Sequence, residues 1–484
     1  MENKQTELER IENTTRHSNW KYASNSTFQL VVTLSSSVQA IYLVFFYVQI
    51  LGLENWHVLL ATTIYAIFNA VNDPIIGYLT DRNFRWTRKW GRRFPWIAMA
   101  MLPWCASLFL IFTAPKVGGS PWPTFFWLLG SLVLFDTFYS FISLNVNALR
   151  PDMFRTEKER RKFTIFWSYF DIVAQALGFI VPPLFLIGGQ NRGGYMLMAA
   201  FAASVCLLFG MLFLPGARED KVMIDRYFNE EEQKKPKQNI FKILWNAIKS
   251  KSFITFFVCL SAFNLVVSLL MSMAPYLNTF VVRAASGNEI FIFVAFFLGA
   301  MISIPIWLWY LKKSNNAKRA LVLGGYLFSA SLIFLTFFRG SVDMYIRFFA
   351  AGLAIGSMLA FFYTVVLAHV VDDFVATHKI NQKGVLLGVL ILLSRLVSTL
   401  DEGIITLVQK ITGFPSGIST YDELIGYIAV NGGDLDNMLF GIRSMVGIIP
   451  AVVLIIGTTV FALWYPLTPN KVMANKQTLL ELNL

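Results

Sequence analysis

The chain has 484 residues, 56% of them hydrophobic and only 14% charged, with a formal net charge of +12. A soluble domain carries roughly 25% charged residues, so composition excludes a soluble protein with a large core and implies an all-α, multi-pass membrane protein. The basic excess lies in loops between apolar stretches, not on a domain of its own. That excludes nucleic acid as a partner and leaves the lipid bilayer and a small-molecule substrate.

Up to about Thr27 the chain is polar and of mixed charge, so no cleavable signal peptide is expected. Apolar runs of spanning length, about 20 residues each, follow at Thr27–Leu51, Val58–Leu79, Trp96–Ala114, Thr124–Leu149, Phe163–Ile187 and Tyr195–Leu214. A polar linker, Pro215–Ser252, carries E-E-E-Q-K-K-P-K. Six more runs lie at Phe253–Val282, Ile290–Leu311, Ala320–Phe338, Met344–Val371, Val385–Ile411 and Met438–Tyr465. The expected organisation is an N-terminal segment 1–26, a six-helix half 27–214, the linker 215–252, a second six-helix half 253–466 and a tail 467–484.

Most of the 41 Lys and Arg residues fall in the N-terminal segment, the linker, the tail and the loops after the second, fourth, eighth and tenth runs. The opposite loops hold only Lys116, Arg192, Arg283 and Arg339, with Lys410 at the end of a run. Positive-inside bias therefore places both termini and the linker in the cytoplasm, with the cell membrane as the expected location. The longest outer loop, Phe414–Asn437, carries Asp422, Glu423, Asp434 and Asp436 and reads as solvated.

Cys105, Cys206 and Cys259 each lie inside an apolar run, which excludes a disulfide framework and zinc spacing. His17, His57, His369 and His378 form no H-E-x-x-H pattern, so no metal site is expected. There is no G-x-x-x-x-G-K-[ST] cradle for ATP and no nucleophile–base pair at helical spacing, so neither an enzyme nor a cofactor is expected. Gly352 and Gly356 form a G-x-x-x-G that reads as close helix packing within a monomer.

Charges inside the runs are expensive in lipid and so informative. They are Asp73, Asp136, Asp171, Arg347, Asp372, Asp373, Arg395, Asp401, Glu402 and Arg443. Asn69, Asn72 and Asp73 share one helical face at i, i+3 and i+4. Asp171 and Gln175 share a face with Ser168 in the same way, and Asn147 and Asn264 add neutral hydrogen-bonding groups to a candidate substrate site.

After the second run the chain reads Gly77-Tyr-Leu-Thr-Asp81-Arg82, which resembles the helix 2–3 loop motif of the major facilitator superfamily. N-D-P-I-I-G before it and G-R-R-F-P-W after it resemble one branch, the melibiose permease-like glycoside–pentoside–hexuronide:cation symporters. The likeness recurs at Leu43–Leu53, at Ala148-Leu149-Arg150-Pro151 with Glu159-Arg160, and at Ile449-Pro450 with Trp464-Tyr465-Pro466-Leu467-Thr468. It covers about Thr27 to Thr468 and implies a major facilitator fold of twelve transmembrane helices in two six-helix halves.

The resemblance also implies roles. Gly77, Asp81, Arg82, Arg92 and Arg93 would form a gating loop. Asp73, with Asn69 and Asn72, would bind the coupling cation. Arg395 matches a family Lys near that site and would reset it or hold an anionic substrate group. The family's charged sugar contacts fall at Thr33 and Ser168, and an acidic position of the fourth helix at Ser143; none is charged here. With Asn69 and Ser143 replacing carboxylates, a proton suits the site better than sodium, which takes several oxygen ligands. The expected function is cation-coupled symport of a sugar or glycoside by alternating access. The alternative within the class is a lysolipid or other amphipathic solute, because the same branch resembles a lysophospholipid symporter. The alternative outside it is a non-transporting receptor or scaffold on a transporter fold.

Cysteines placed in Pro215–Ser252 should resist labelling from outside intact cells, whereas those in Phe414–Asn437 should react. The reverse pattern would overturn the topology.

Overall fold

The computed structural model describes residues 17–80, 82, 84–154, 156–187, 191–221, 223–224, 245, 248–284, 288–314, 316–378, 386, 389–390, 393–394, 397 and 400–481. Contacts divide the chain into two compact units, Met1–Pro236 and Lys237–Leu484. Among the described residues eleven helices are long and apolar enough to cross a membrane. The run 385–411 is described without interruption from Leu400 onward and at 386, 389–390, 393–394 and 397 before it.

The first unit holds α1 (Asn19–Phe45), α2 (Asn55–Thr80), α3 (Phe94–Ile111), α4 (Trp122–Met153), α5 (Glu157–Leu184) and α6 (Arg192–Ala217). A wider π-helical turn, Phe46–Ile50, continues α1. Helix α1 starts at Asn19 rather than near Thr27. The polar residues Ser24 to Thr27 are buried, and Asn25, 0% exposed, donates to the Gly216 carbonyl of α6 at 3.2 Å. Side-chain partners therefore let polar residues extend an apolar helix. Thr156 and Glu159 form a reciprocal capping box that starts α5.

The second unit holds α7 (Lys251–Tyr276), α8 (Glu289–Ser314), α9 (Ala317–Thr336), α10 (Ser341–Phe361, continued through Phe362–Val366 to Leu367–His378) and α11 (Leu400–Thr412). After α11 come α12 (Tyr421–Asn431), α13 (Leu435–Val446), α14 (Ile448–Trp464) and α15 (Pro469–Glu481). The segment 414–437 is therefore not a bare loop. Thr420 and Glu423 form a capping box on α12, and Asp434 accepts from the Asp436 and Asn437 amides to start α13.

Both units use one pairing scheme. In the first, α1 packs on α5 and α6, α2 on α4, and α3 on α4 and α6. In the second, α7 packs on α11 and α14, α8 on α10, and α9 on α10 and α14. The α8–α10 crossing depends on missing side chains: a Cβ on Gly299 would meet the Phe349 carbonyl, and one on Gly352 would meet the Phe296 carbonyl. A Cβ on Gly356 would meet the Ser303 hydroxyl.

Backbone cannot turn aside as a side chain can. Gly352→Ala should therefore cost about 1–3 kcal/mol by overpacking, read as a fall in Tm. Gly426→Ala, where a Cβ meets nothing within 4 Å, serves as the control. Equal Tm values for the two variants would remove the close-crossing argument.

Candidate functional site

The polar face of α2 meets α4 rung by rung. On α2, Tyr65, Asn69 and Asp73 succeed one another one turn apart, and on α4 Asp136 and Ser140 do the same. Asn69 Nδ2 donates to Asp136 Oδ1 at 2.8 Å, and the Tyr65 hydroxyl donates to the same oxygen at 3.1 Å. One turn further along both helices, Ser140 Oγ donates to Asp73 Oδ1 at 2.5 Å. Asn69 and Asp136 are each 3% exposed, Asn72 is buried beside them, and Asp73 is half-buried. The ladder gathers two carboxylates, a serine hydroxyl, a phenol and amide oxygens. That is a donor set for a proton or a hard cation.

Asp136 was only one of several intramembrane charges in the sequence. Its partnership with Asn69 was not readable because it depends on how α4 is rotated against α2.

A second cluster joins α1 and α5. Thr33 Oγ1 donates to Asp171 Oδ1 at 2.6 Å, and Gln29 Nε2 reaches both that oxygen and Thr33 Oγ1 at 2.9 Å. Gln175 Nε2 donates to Asp171 Oδ2 at 2.8 Å. So Thr33, Asp171 and Gln175 come together, with Gln29 as the member sequence reasoning missed. Ser168 lies half-buried on α5, while on α4 Ser143 is buried and Asn147 is exposed.

In the gating segment, Gly77 lies near the end of α2, and a Cβ there would meet nothing within 4 Å. Asp81 lies outside the described residues. Arg82 donates to the Tyr78 hydroxyl at 2.6 Å and stands over its ring. Arg92 is half-buried, and Arg93 Nη1 donates to Asn145 Oδ1 at 3.2 Å. The group missed here is Glu219, just past α6. Its buried Oε2 accepts from the Arg93 and Phe94 amides at 3.0 and 3.2 Å, so a carboxylate sits at the positive end of α3.

In the second unit Asn264 lines a cavity of about 170 Å³ with Ser261, Ser268, Ser394 and Asp401. Arg395 lies outside the described residues. Asp373 accepts from Ser252 Oγ of α7 at 2.6 Å and from Asn475 Nδ2 of α15 at 2.9 Å, with Lys471 Nζ at 3.7 Å. Arg347 pairs with Asp343 one turn away at 2.8 Å, and Arg443 donates to the Phe338 carbonyl at 3.1 Å.

A model of the MFS/sugar transport protein family matches residues 25–469. The chain belongs to that family. It is similar to sodium-dependent lysophosphatidylcholine symporter 1 of Mus musculus, 21% identical over 449 residues that cover 85% of this chain and 79% of that protein. It is also similar to a sphingosine-1-phosphate transporter of Xenopus tropicalis, 21% identical over 484 residues that cover 93% and 88%. The nucleoside transporter NupG matches its fold with a TM-score of 0.58 at 11% identity, over 93% of this chain and all of that one. The protein is thus a multi-pass membrane transporter with the major facilitator fold.

Removing a donor from a buried carboxylate costs about 1.5–3 kcal/mol. Asn69→Ala should therefore lower Tm, and Asp136→Asn should recover part of that loss in the double variant because no charge remains to be stranded. Losses that add to within about 0.5 kcal/mol would mean that the two residues act independently.

Proposed function

We propose that this transporter moves an amphipathic, lysolipid-like solute by alternating access, coupled to a monovalent cation at the α2–α4 ladder. The observation that carries the substrate reading is the α1–α5 cluster. Thr33 stands where the resemblance implies a sugar-contacting carboxylate, and its hydroxyl is spent on Asp171 at 2.6 Å. Gln29 and Gln175 occupy Asp171 further, so this seam offers little open polar surface to a sugar. The mouse and Xenopus relatives, a lysophosphatidylcholine symporter and a sphingosine-1-phosphate transporter, support the same reading.

A sugar or glycoside is the second reading, supported by the family's description and by the resemblance to the glycoside–pentoside–hexuronide symporters.

Asp73 would bind and release the cation, with Asp136, Ser140 and Asn69 as neighbouring ligands. A proton fits the replacement of carboxylates by Asn69 and Ser143. Sodium is favoured by Asp136, which restores a second carboxylate to the ladder, and by the likeness to the sodium-dependent mouse symporter. The gating segment around Arg93 and Glu219 would close the cytoplasmic end of the first half. Both termini would be cytoplasmic, in the cell membrane, with a monomer as the working unit.

Purified protein in liposomes should take up labelled lysophosphatidylcholine in preference to sugars and glycosides. At constant pH an imposed sodium gradient should drive uptake if sodium couples, and a pH gradient without sodium if a proton does. Losing a charged ligand should make Asp73→Asn at least about tenfold slower in gradient-driven uptake. Sugar uptake without lysolipid uptake would replace the substrate reading, and full gradient-driven uptake by Asp73→Asn would remove the ladder from coupling.

A further inference from the structure

The α7–α11 seam of the second unit matches the α1–α5 seam of the first in the pairing scheme, but its carboxylate is treated differently. In the first unit both oxygens of Asp171 accept hydrogen bonds from Thr33, Gln29 and Gln175. In the second, Asp401 is 5% exposed and faces Ser268 of α7 across a shared cavity. Its Oδ1 has no hydrogen-bond partner among the described residues. Ser261, 8% exposed, also has a buried hydroxyl without a partner. Both groups line the cavity of about 170 Å³, whose other polar lining is Asn264, Ser268 and Ser394. Among the described residues no Lys, Arg or His lines it. Glu402, next in the chain, does not line it among the described residues.

A buried carboxylate at membrane depth stays ionised only beside a compensating positive charge. Here the open carboxylate oxygen, the serine hydroxyls and the Asn264 amide supply hard oxygen donors around a space large enough for an ion with several waters. One carboxylate balances one positive charge, which favours a monovalent ion over a divalent one. We propose that this cavity is a second alkali-cation site, in the C-terminal half, with Asp401 as its charged ligand and Ser261 and Ser268 as hydroxyl ligands. It shares no residue with the α2–α4 ladder and does not depend on the identity of the transported solute.

The test is the thermal stability of the full-length purified protein in sodium chloride against N-methyl-D-glucamine chloride, at fixed pH and ionic strength. In Asp73→Asn protein, with the ladder disabled, sodium should still raise Tm by roughly 2–4 °C at about ten times its Kd. Adding Asp401→Asn should abolish that rise, and adding Ser261→Ala should shrink it. An undiminished rise with Asp401→Asn, or no rise in Asp73→Asn protein, would overturn the proposal. Should Asp401→Asn not fold, Ser261→Ala decides: an unchanged rise overturns the site. Uptake plays no part in this readout, so an error about the substrate leaves it untouched.

Discussion

Carboxylates inside apolar helices constrain the rest of this structure. Lipid offers no hydrogen bonds, so each buried acid must find donors on its own helix or on a neighbour. Asp136 finds Asn69 and Tyr65, and Asp73 finds Ser140, which sets the register of α2 against α4. Asp171 ties α5 to Gln29 and Thr33 of α1. Asp373 ties α10 to Ser252 of α7 and Asn475 of α15. The groups that set how the helices pack are thus the groups able to bind a cation, because both roles need a negative oxygen held in a polar seam.

Repetition of the pairing scheme makes the differences between the halves informative. The α2–α4 seam of the first unit is a polar ladder, whereas its counterpart α8–α10 is a close crossing that the missing side chains of Gly299 and Gly352 permit. The α1–α5 seam is saturated around Asp171, whereas its counterpart α7–α11 leaves a cavity beside Asp401. Each half thus carries one satisfied or closed seam and one with oxygens to offer, on different pairs of helices.

Several features were legible in the sequence for local reasons. Spans follow from runs of apolar residues, and the close packing at Gly352 and Gly356 follows from their spacing. Helical spacing along α5 grouped Asp171 and Gln175 with Ser168, and Thr33 came from the family resemblance; of these, Thr33, Asp171 and Gln175 meet. Less legible were Asp136 and Glu219, because their partners lie far along the chain: 67 residues separate Asp136 from Asn69 and 126 separate Glu219 from Arg93. The helical order of the segment 414–437 was missed although its signal was present, in the Thr420-Tyr-Asp-Glu423 capping pattern.

By itself the sequence determined the class of molecule, the number of apolar runs, the sidedness expected from Lys and Arg, and which helices carry charge. These are properties of composition and short-range periodicity, set by the cost of placing polar groups in lipid. Tertiary structure alone decided which charges meet. The rotation of α4 brings Asp136 rather than Ser143 to Asn69, and the packing of α7 on α11 places Ser268 and Asp401 around one cavity while leaving one carboxylate oxygen open. A helix's sequence specifies its faces, but the neighbour each face receives depends on side-chain packing along the whole crossing, which no local pattern records.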